Sequence, residues 1–308
     1  MNITVIVCTY NRCRMLPRAL ESLARSRVAS SVEWEVLVVD NNSRDDTPKV
    51  AAEFMRRYPG RFRYLFEGQP GKSHALNAGI QDATGEIVAF ADDDVVVDER
   101  WLEQLTKPLL DGRWIGSGGR ILPDWQHEPP PWLVLEGRYA LAPLAAFDLG
   151  TEPGELHEPP FGTSMAFRKD AFTKHGGFRT DLGPHPDSQI RSEDTEFGRR
   201  LLDAGERLWY EPSAIVFHPV AADRLRRSYF LDWWFDKGRA EIREFGVRPD
   251  VRRTASGIPL YLIRTLIKQL VRWVVTVEPK TRFARKTAVW QKAGQIAEAR
   301  RYTTGNAS

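Results

Sequence analysis

The sequence predicts an α/β fold built on a mostly parallel central sheet, with a helical region at its C-terminal end. Three observations point there. Short β-branched runs alternate with stretches whose apolar residues recur at helical spacing. The runs are almost continuously apolar, as strands are when helices cover both faces of a sheet. Polar clusters follow the runs directly, which puts them at the carboxyl ends of strands, where ligands bind in such sheets. The chain has 308 residues, 42% hydrophobic and 28% charged. That suffices for one large or two modest domains and excludes a disordered, collagenous or mini-protein class.

The elements follow in order. Residues 3–8 form the first apolar run; Asn11 breaks it, and residues 16–23 repeat apolar side chains at helical spacing. Residues 35–39 are a second strand, ended by Asp40-Asn41-Asn42-Ser43, and residues 47–58 are a helix closed by Pro59-Gly60. Residues 61–66 are a third strand, and residues 73–80 a helix with Ser73 or a neighbour as its cap. Residues 86–91 are a fourth strand, which runs into three aspartates and then a helix over 99–110. Residues 123–160 are rich in Pro, Trp and Gly and read as a long loop excursion of the kind that lines sites. Residues 192–203 are a helix and 214–217 a strand; from about residue 221 the chain turns basic and helical.

The formal net charge of +3 conceals two halves of opposite sign. Residues 221–308 hold 19 Lys/Arg against 8 Asp/Glu, a net of +11; residues 1–220 hold 25 against 33, a net of −8. An acidic part suits carboxylate or metal chemistry, and a basic part suits phosphates on nucleic acid or lipid. Two cysteines, Cys8 and Cys13, make neither a disulfide framework nor a zinc-finger array. The first residues lack the basic stretch and apolar core of a secretory signal, so a reducing cytoplasm is the expectation.

Several clusters carry two readings each. Asp92-Asp93-Asp94 places three mutually repelling carboxylates at a strand end, a hard-oxygen set suited to Mg²⁺ or Mn²⁺. The bland reading is a solvated loop capping the next helix. Asp40 and its asparagines fit either a base edge or ribose, or an Asx-turn. Lys72 fits either a phosphate near a helix N-terminus or a surface turn. Phe66 stands where a P-loop needs glycine, so Gly71-Lys72-Ser73 is not a Walker motif. The run Gly116-Ser117-Gly118-Gly119 completes no dinucleotide fingerprint. Ser192-Glu193-Asp194 fits a capping box or a functional carboxylate at a helix start, and His218 fits a packed side chain or a metal ligand.

Together these motifs resemble the family 2 glycosyltransferases of GT-A fold. The resemblance rests on Val5-Ile6-Val7-Cys8-Thr9-Tyr10-Asn11-Arg12, Val38-Val39-Asp40-Asn41-Asn42-Ser43, Gly71-Lys72-Ser73-His74-Ala75-Leu76-Asn77 and Phe90-Ala91-Asp92-Asp93-Asp94. Gly162-Thr163-Ser164-Met165-Ala166-Phe167-Arg168, Gly176-Gly177-Phe178 and Ser192-Glu193-Asp194 extend it over roughly residues 1–220. It implies an inverting, metal-dependent transfer of a sugar from a nucleotide-sugar donor to a hydroxyl acceptor, in a catalytic domain over 1–220. Thr9, Tyr10, Arg12, Asp40, Asn42, Lys72, Asp92 and Asp93 would then serve the nucleotide, with Asp40 on the base and Lys72 by the diphosphate or ribose. Asp92 and Asp94 would be the DxD pair, with Asp94 the direct ligand of Mg²⁺ or Mn²⁺; three consecutive aspartates leave the register of Asp93 open. His218 would be a further metal ligand, as in some family members. Gly162, Thr163 and Glu193 would lie on the acceptor side, and Asp194 would be the catalytic base.

The basic C-terminal region is expected to be a membrane-associating or oligomerising element. In residues 257–277, Arg264, Lys268 and Arg272 recur every four residues on an otherwise apolar helix. Three charges argue against a spanning helix and suit one lying in a membrane interface. Trp233-Trp234-Phe235 and Trp273 would anchor it, and Lys280, Arg282, Arg285 and Lys286 would add charge for anionic lipid. The bland reading is a helix packed on the catalytic domain or on a second copy. The implied place is the inner face of the cell membrane, with a glycan or lipid-linked acceptor. The competing functions are a nucleotidyltransferase, which would release pyrophosphate, and a basic nucleic-acid-binding protein. No recognised nucleic-acid module is present, and no nucleic-acid partner is expected.

Overall fold

The structure, a computed structural model, describes residues 2–137, 139–186, 188–247, 254–255 and 258–305. Met1, at the head of the stretch read for a signal, and Gly257, which opens the basic helix read above, lie outside them. The chain divides into two compact units: Met1–Asp124, Ala145–Pro186 and Glu193–Pro219 form one, and Trp125–Leu144, Asp187–Ser192 and Val220–Ser308 the other.

The first unit opens with β1 (Asn2–Thr9), α1 (Leu16–Ala24), β2 (Glu33–Asp40), α2 (Thr47–Arg57), β3 (Phe62–Phe66), α3 (Lys72–Asp82) and β4 (Ile87–Phe90). Then come β5 (Val96–Val97), α4 (Trp101–Thr106) with a 3-10 turn over Lys107–Leu109, β6 (Gly116–Trp125), β7 (Gly154–Leu156), β8 (Met165–Arg168), α5 (Asp170–His175), α6 (Glu193–Asp203) and β9 (Leu208–Val220). The sheet order is β3-β2-β1-β4-β8-β6-β9-β5, with β7 added on β9. Strands β3, β2, β1 and β4 are parallel. Strand β8 runs antiparallel to β4 and to β6.

The pleat of β1 sorts its side chains between two cores. Ile3, Val5 and Val7 join Val36 and Val38 with the apolar faces of α1, α2 and α4. Ile6 joins Leu37 and Val39 with α3, α5 and α6. Alternation of period two on a sheet covered on both faces accounts for the continuous apolar runs. In α1, Leu16, Ala19, Leu20 and Leu23 are buried at helical spacing, and a proline stands in the first turn. Gly116 and Gly119 sit in β6 because there is no room for more. A Cβ would lie 2.3 Å from the Phe167 ring at Gly116, and 2.3 Å from Ser164 Oγ at Gly119.

Several expected boundaries shift. The helix expected over 99–110 is α4 plus the 3-10 turn, and the strand expected over 214–217 is the 13-residue β9. The excursion over 123–160 contains the end of β6, a 3-10 turn at Ala142–Leu144 and β7. Ser73 does not cap α3: the cap position is Gly71, and Ser73 Oγ instead donates to the Leu182 carbonyl at 2.7 Å.

The second unit contains α7 (Arg227–Phe245), the short hairpin of β10 (Thr254–Ala255) and β11 (Ile258–Pro259), α8 (Leu260–Val275) and α9 (Pro279–Gly305). Helices α7 and α9 approach until backbones touch. A Cβ at Gly238 would stand 1.9 Å from the Gln291 carbonyl oxygen, and one at Gly294 would stand 1.9 Å from that of Phe235. Glu298, buried in α9, accepts from Arg243 Nε at 2.7 Å and Arg239 Nε at 3.0 Å. Glu241 takes both Gln291 and Gln295. A second cluster gathers Leu133, Leu144, Val220 and Phe230 with Trp132 and Phe283 against them.

Candidate active site

The carboxyl ends of β1, β2 and β4 and the start of α3 bring the polar motifs to one rim, as the strand-end pattern requires. The loops there are fastened to each other. Asn11, with φ at 52°, donates its amide to Ser43 Oγ at 2.9 Å and accepts the Arg44 amide at 2.7 Å. Asp45 accepts the Cys13 and Thr47 amides, both at 3.0 Å. Asn41 reaches from the end of β2 to donate to the Gln69 carbonyl and to accept the Gly71 amide, both at 2.7 Å. That bond holds Gly71, whose φ of 126° suits glycine, at the entry to α3, and so fixes where Lys72 begins the helix.

Asp40 takes the turn role that its residue type left open. It is 0% exposed, accepts the Ser43 amide at 2.9 Å through Oδ1, and accepts the Tyr64 hydroxyl at 2.9 Å through Oδ2. Each oxygen thus makes one bond inside the fold and keeps a further lone pair. Tyr10 is exposed on the rim, and Asn42 sits in the left-handed region at φ 65°.

The aspartates after β4 and the carboxylates of α6 converge. Asp92 Oδ1 accepts Lys72 Nζ at 2.7 Å, and its Oδ2 accepts Thr163 Oγ1 at 2.7 Å. Glu193 Oε1 lies 3.7 Å from Lys72 Nζ. Asp194 Oδ2 accepts the Gly162 amide at 2.6 Å, and Oδ1 accepts the Thr195 amide at 2.7 Å. A Cβ at Gly162 would come within 2.9 Å of Asp194 Oδ2, so glycine is what permits this approach. Asp94 lies 3.4 Å from Arg12 and 3.7 Å from His218 Nε2. A narrow pocket opens beside Lys72, Asp92, Gly162, Glu193 and Asp194, with Cys8, Leu76, Phe90 and Met165 below. Rings hold α6 there: Phe197 stacks on Phe172 at 4.6 Å and meets Phe167 edge-on at 5.1 Å.

The charges are unbalanced, and the ionisation of the buried groups shifts accordingly. Burial works to raise Asp92, but the charge of Lys72 and hydrogen bonds from Lys72 and Thr163 hold it well below the ordinary range. Burial works to lower Lys72, and Asp92, Glu193 and Asp194 together hold it up. Burial, then the charge of Asp94, pushes Asp93 up to about 7. Burial, then the charge of Asp194, pushes Glu193 up to about 7. Burial holds the Cys8 thiol protonated. Glu193 Oε2 is buried without a hydrogen-bond partner among the described residues.

Thr163, expected on the acceptor side, binds Asp92. Glu193, also expected there, is 3% exposed and points inward at Lys72, because the first turn of α6 buries it. Of the expected metal set, Asp94 and His218 come together, and Asp92 bonds Lys72 and Thr163 with one oxygen each. No three His, Cys, Asp or Glu among the described residues form a ready-made metal cage. The donor chemistry nonetheless fits Mg²⁺ or Mn²⁺, which take one or two carboxylates and complete their shell with water and substrate phosphates. Sequence reading did not find Asn41 as the clamp on Gly71 or Tyr64 as the partner of Asp40. An asparagine 30 residues ahead of a helix-opening glycine carries no local signal of that pairing.

Comparison with known proteins agrees on one family. A family model described as "Glycosyl transferase family 2" matches residues 4–176. The chain is 25% identical over 239 residues to a glucosyl-dolichyl phosphate glucuronosyltransferase of Haloferax volcanii, covering 76% of this chain and 75% of that one. It is 26% identical over 264 residues to the succinoglycan biosynthesis protein ExoM of Rhizobium meliloti, covering 84% and 80%. Among solved structures it resembles the mannosyltransferase PcManGT of Pyrobaculum calidifontis in complex with GDP-Man and Mn²⁺. There the TM-score is 0.57 and the identity 21%, over 99% of this chain and 79% of that one.

Proposed function

The chain belongs to the family 2 glycosyltransferases, with a GT-A-type fold, and from that premise we propose that it is an inverting, metal-dependent enzyme. It takes a sugar from a nucleoside-diphosphate donor and delivers it to the hydroxyl of a lipid-linked or polysaccharide-precursor acceptor. One observation carries the reading: Asp194 and Asp92 are fastened to the consecutive residues Gly162 and Thr163. A base and a donor-side carboxylate are thereby held at a fixed separation.

Asp194 removes the acceptor proton while that oxygen bonds to the anomeric carbon. The bond from that carbon to the diphosphate breaks in the same displacement, and its electron pair leaves with the phosphate. The configuration inverts, and no covalent enzyme intermediate forms. The Gly162 amide keeps one oxygen of Asp194 aimed, and the Thr195 amide takes the other. Lys72 and Arg12, each already against a carboxylate, are the cations within reach of the donor phosphates. Asp94 and His218, with Asp92 beside them, would hold Mg²⁺ or Mn²⁺, which supplies Lewis-acid neutralisation of the leaving diphosphate. Thr9, Tyr10 and Asn42 serve the nucleoside, and Asp40 and Asp93 act by shaping that rim.

The acceptor class follows the names of relatives: one is a glucosyl-dolichyl phosphate glucuronosyltransferase, another a succinoglycan biosynthesis protein. Residues 1–220 are assigned the chemistry, and residues 221–308 peripheral attachment at the inner face of the cell membrane or self-association. No helix among the described residues is long and apolar enough to cross a membrane.

Two measurements test the reaction. Transfer should stop in excess EDTA and return with Mn²⁺ or Mg²⁺; full transfer in EDTA overturns the metal assignment. NMR of the first-formed product should show the anomeric configuration opposite to the donor's; retention overturns the single displacement.

A further inference from the structure

Helix α8 is the least covered apolar element of the second unit. Of its 16 residues only Leu262 is buried. Ile267, Val271, Val274 and Val275, together with Val277 just beyond the helix, are between 54% and 88% exposed. At 3.6 residues per turn, Val274, Ile267, Val271, Arg264, Val275, Lys268 and Arg272 follow one another around an arc of roughly 160°. Val274, Ile267 and Val271 hold one edge of the arc and Lys268 and Arg272 the other, with Arg264 and Val275 between them. All three cations are exposed, and none has an acidic partner among the described residues. Lys280, Arg282 and Arg285 add exposed positive charge on the first turns of α9. The nearby acid, Glu278, is occupied in capping α9, where it accepts the Lys280 and Thr281 amides at 2.9 and 2.6 Å.

Had α8 served only to complete the second unit's core, this arc would face inward. It faces solvent instead, while other charges of the same unit find partners inside it, as Glu298 does with Arg239 and Arg243. Trp273 is not a free anchor either: it meets Trp290 edge-on, with Lys286 over both rings. The exposed large apolar residues of α8 itself, Ile267, Val271, Val274 and Val275, are all aliphatic.

We propose that α8 docks in the plane of an anionic bilayer, with Ile267, Val271, Val274 and Val275 entering the acyl boundary. Arg264, Lys268 and Arg272 lie along the headgroup phosphates. The length of α8 excludes spanning, since crossing the hydrocarbon takes about 20 apolar residues. An apolar edge beside a cationic edge is the pattern of interfacial helices, and charge complementarity selects anionic lipid over neutral lipid. This inference deepens the peripheral-attachment part of the proposed function and rests on it, but not on the sugar chemistry.

The test is flotation of the full chain, without donor or acceptor, on vesicles of phosphatidylcholine alone and of phosphatidylcholine with phosphatidylglycerol. Binding is expected only where phosphatidylglycerol is present. Val271→Glu with Val274→Glu should abolish it, and Lys268→Gln or Arg272→Gln should each weaken it about fivefold. All four positions are exposed, and retained circular dichroism and thermal melting confirm folding. Absence of flotation overturns the proposal. So does binding that the glutamates leave intact, which would reduce the contact to diffuse charge. So does a lipid-free dimer that the glutamates dissociate, since the arc would then be the seat of a second copy. Because no transfer is read, failure of the glycosyltransferase assignment cannot imitate any of these results.

Discussion

The two units spend their charges differently. In the first, Asp92, Asp93, Asp94, Glu193 and Asp194 gather around few cations, and two of them are pushed up to about 7. In the second, buried Glu298 sits between two arginines, and part-buried Glu241 takes two glutamine amides. Unmatched buried carboxylates cost stability, so a fold keeps them where ligand or chemistry needs them. Matched buried charge needs no ligand to explain it. The second unit also carries Arg264, Lys268 and Arg272 exposed along α8.

The largest expected effect breaks the contrast at its chemical end. Asp194→Asn should keep donor binding and lower transfer about 10³-fold, the scale of a lost general base. Steady-state rates with calorimetric donor affinity would check it, and near-normal turnover would remove Asp194 from its role. Next, Gly294→Val tests the second unit's packing. The new side chain must displace the Phe235 carbonyl, so the chemical denaturation midpoint should fall by the equivalent of about 3 kcal/mol. An unchanged midpoint would mean that α7 and α9 do not meet as described.

A smaller effect separates positioning from packing in the first unit. Thr163→Val removes one hydrogen bond to the Asp92 carboxylate, worth about 1.5 kcal/mol, or roughly tenfold. The loss should appear chiefly in the donor KM, and Thr163→Ser should restore it. A purely structural threonine would show no such rescue. The smallest effect is one of stability. The Glu193 carboxyl rises from 4.5 when ordinary to about 7 in the folded chain. The folded state therefore holds its proton more tightly, and stability falls as pH rises through that window. Glu193→Gln removes the ionisation, so its metal-free Tm should exceed the parent's by a few degrees at pH 8 and match it near pH 4. Equal melting at both pH values would mean that Glu193 is ordinarily solvated.

Much of this contrast was legible in the residues. The parallel strands β1 to β4 showed themselves because β-branched runs stop abruptly at polar clusters, and the rim follows from where those clusters fall. Strand β6 was hidden, because Gly116, Gly118 and Gly119 read as breakers until Phe167, Pro160 and Ser164 are seen pressing on them. The site was legible as residue types but not as pairings. Nothing local distinguishes Glu193 facing Lys72 from Glu193 facing an acceptor. Nor does sequence spacing reveal that Tyr64 and the turn at Ser43 each bond one oxygen of Asp40. Such contacts depend on which strands become neighbours, and the chain brings those together across 20 to 100 residues.

The central claim is that the unmatched carboxylates of the first unit serve sugar transfer from a nucleoside diphosphate. Mass spectrometry of the full chain with Mn²⁺ and a panel of UDP-, GDP- and dTDP-sugars tests it most directly. The account predicts that a donor is consumed with release of its nucleoside diphosphate, and that acceptor-dependent release is lost in Asp194→Asn. Release of pyrophosphate, or acceptor-dependent consumption that survives in Asp194→Asn, would contradict it.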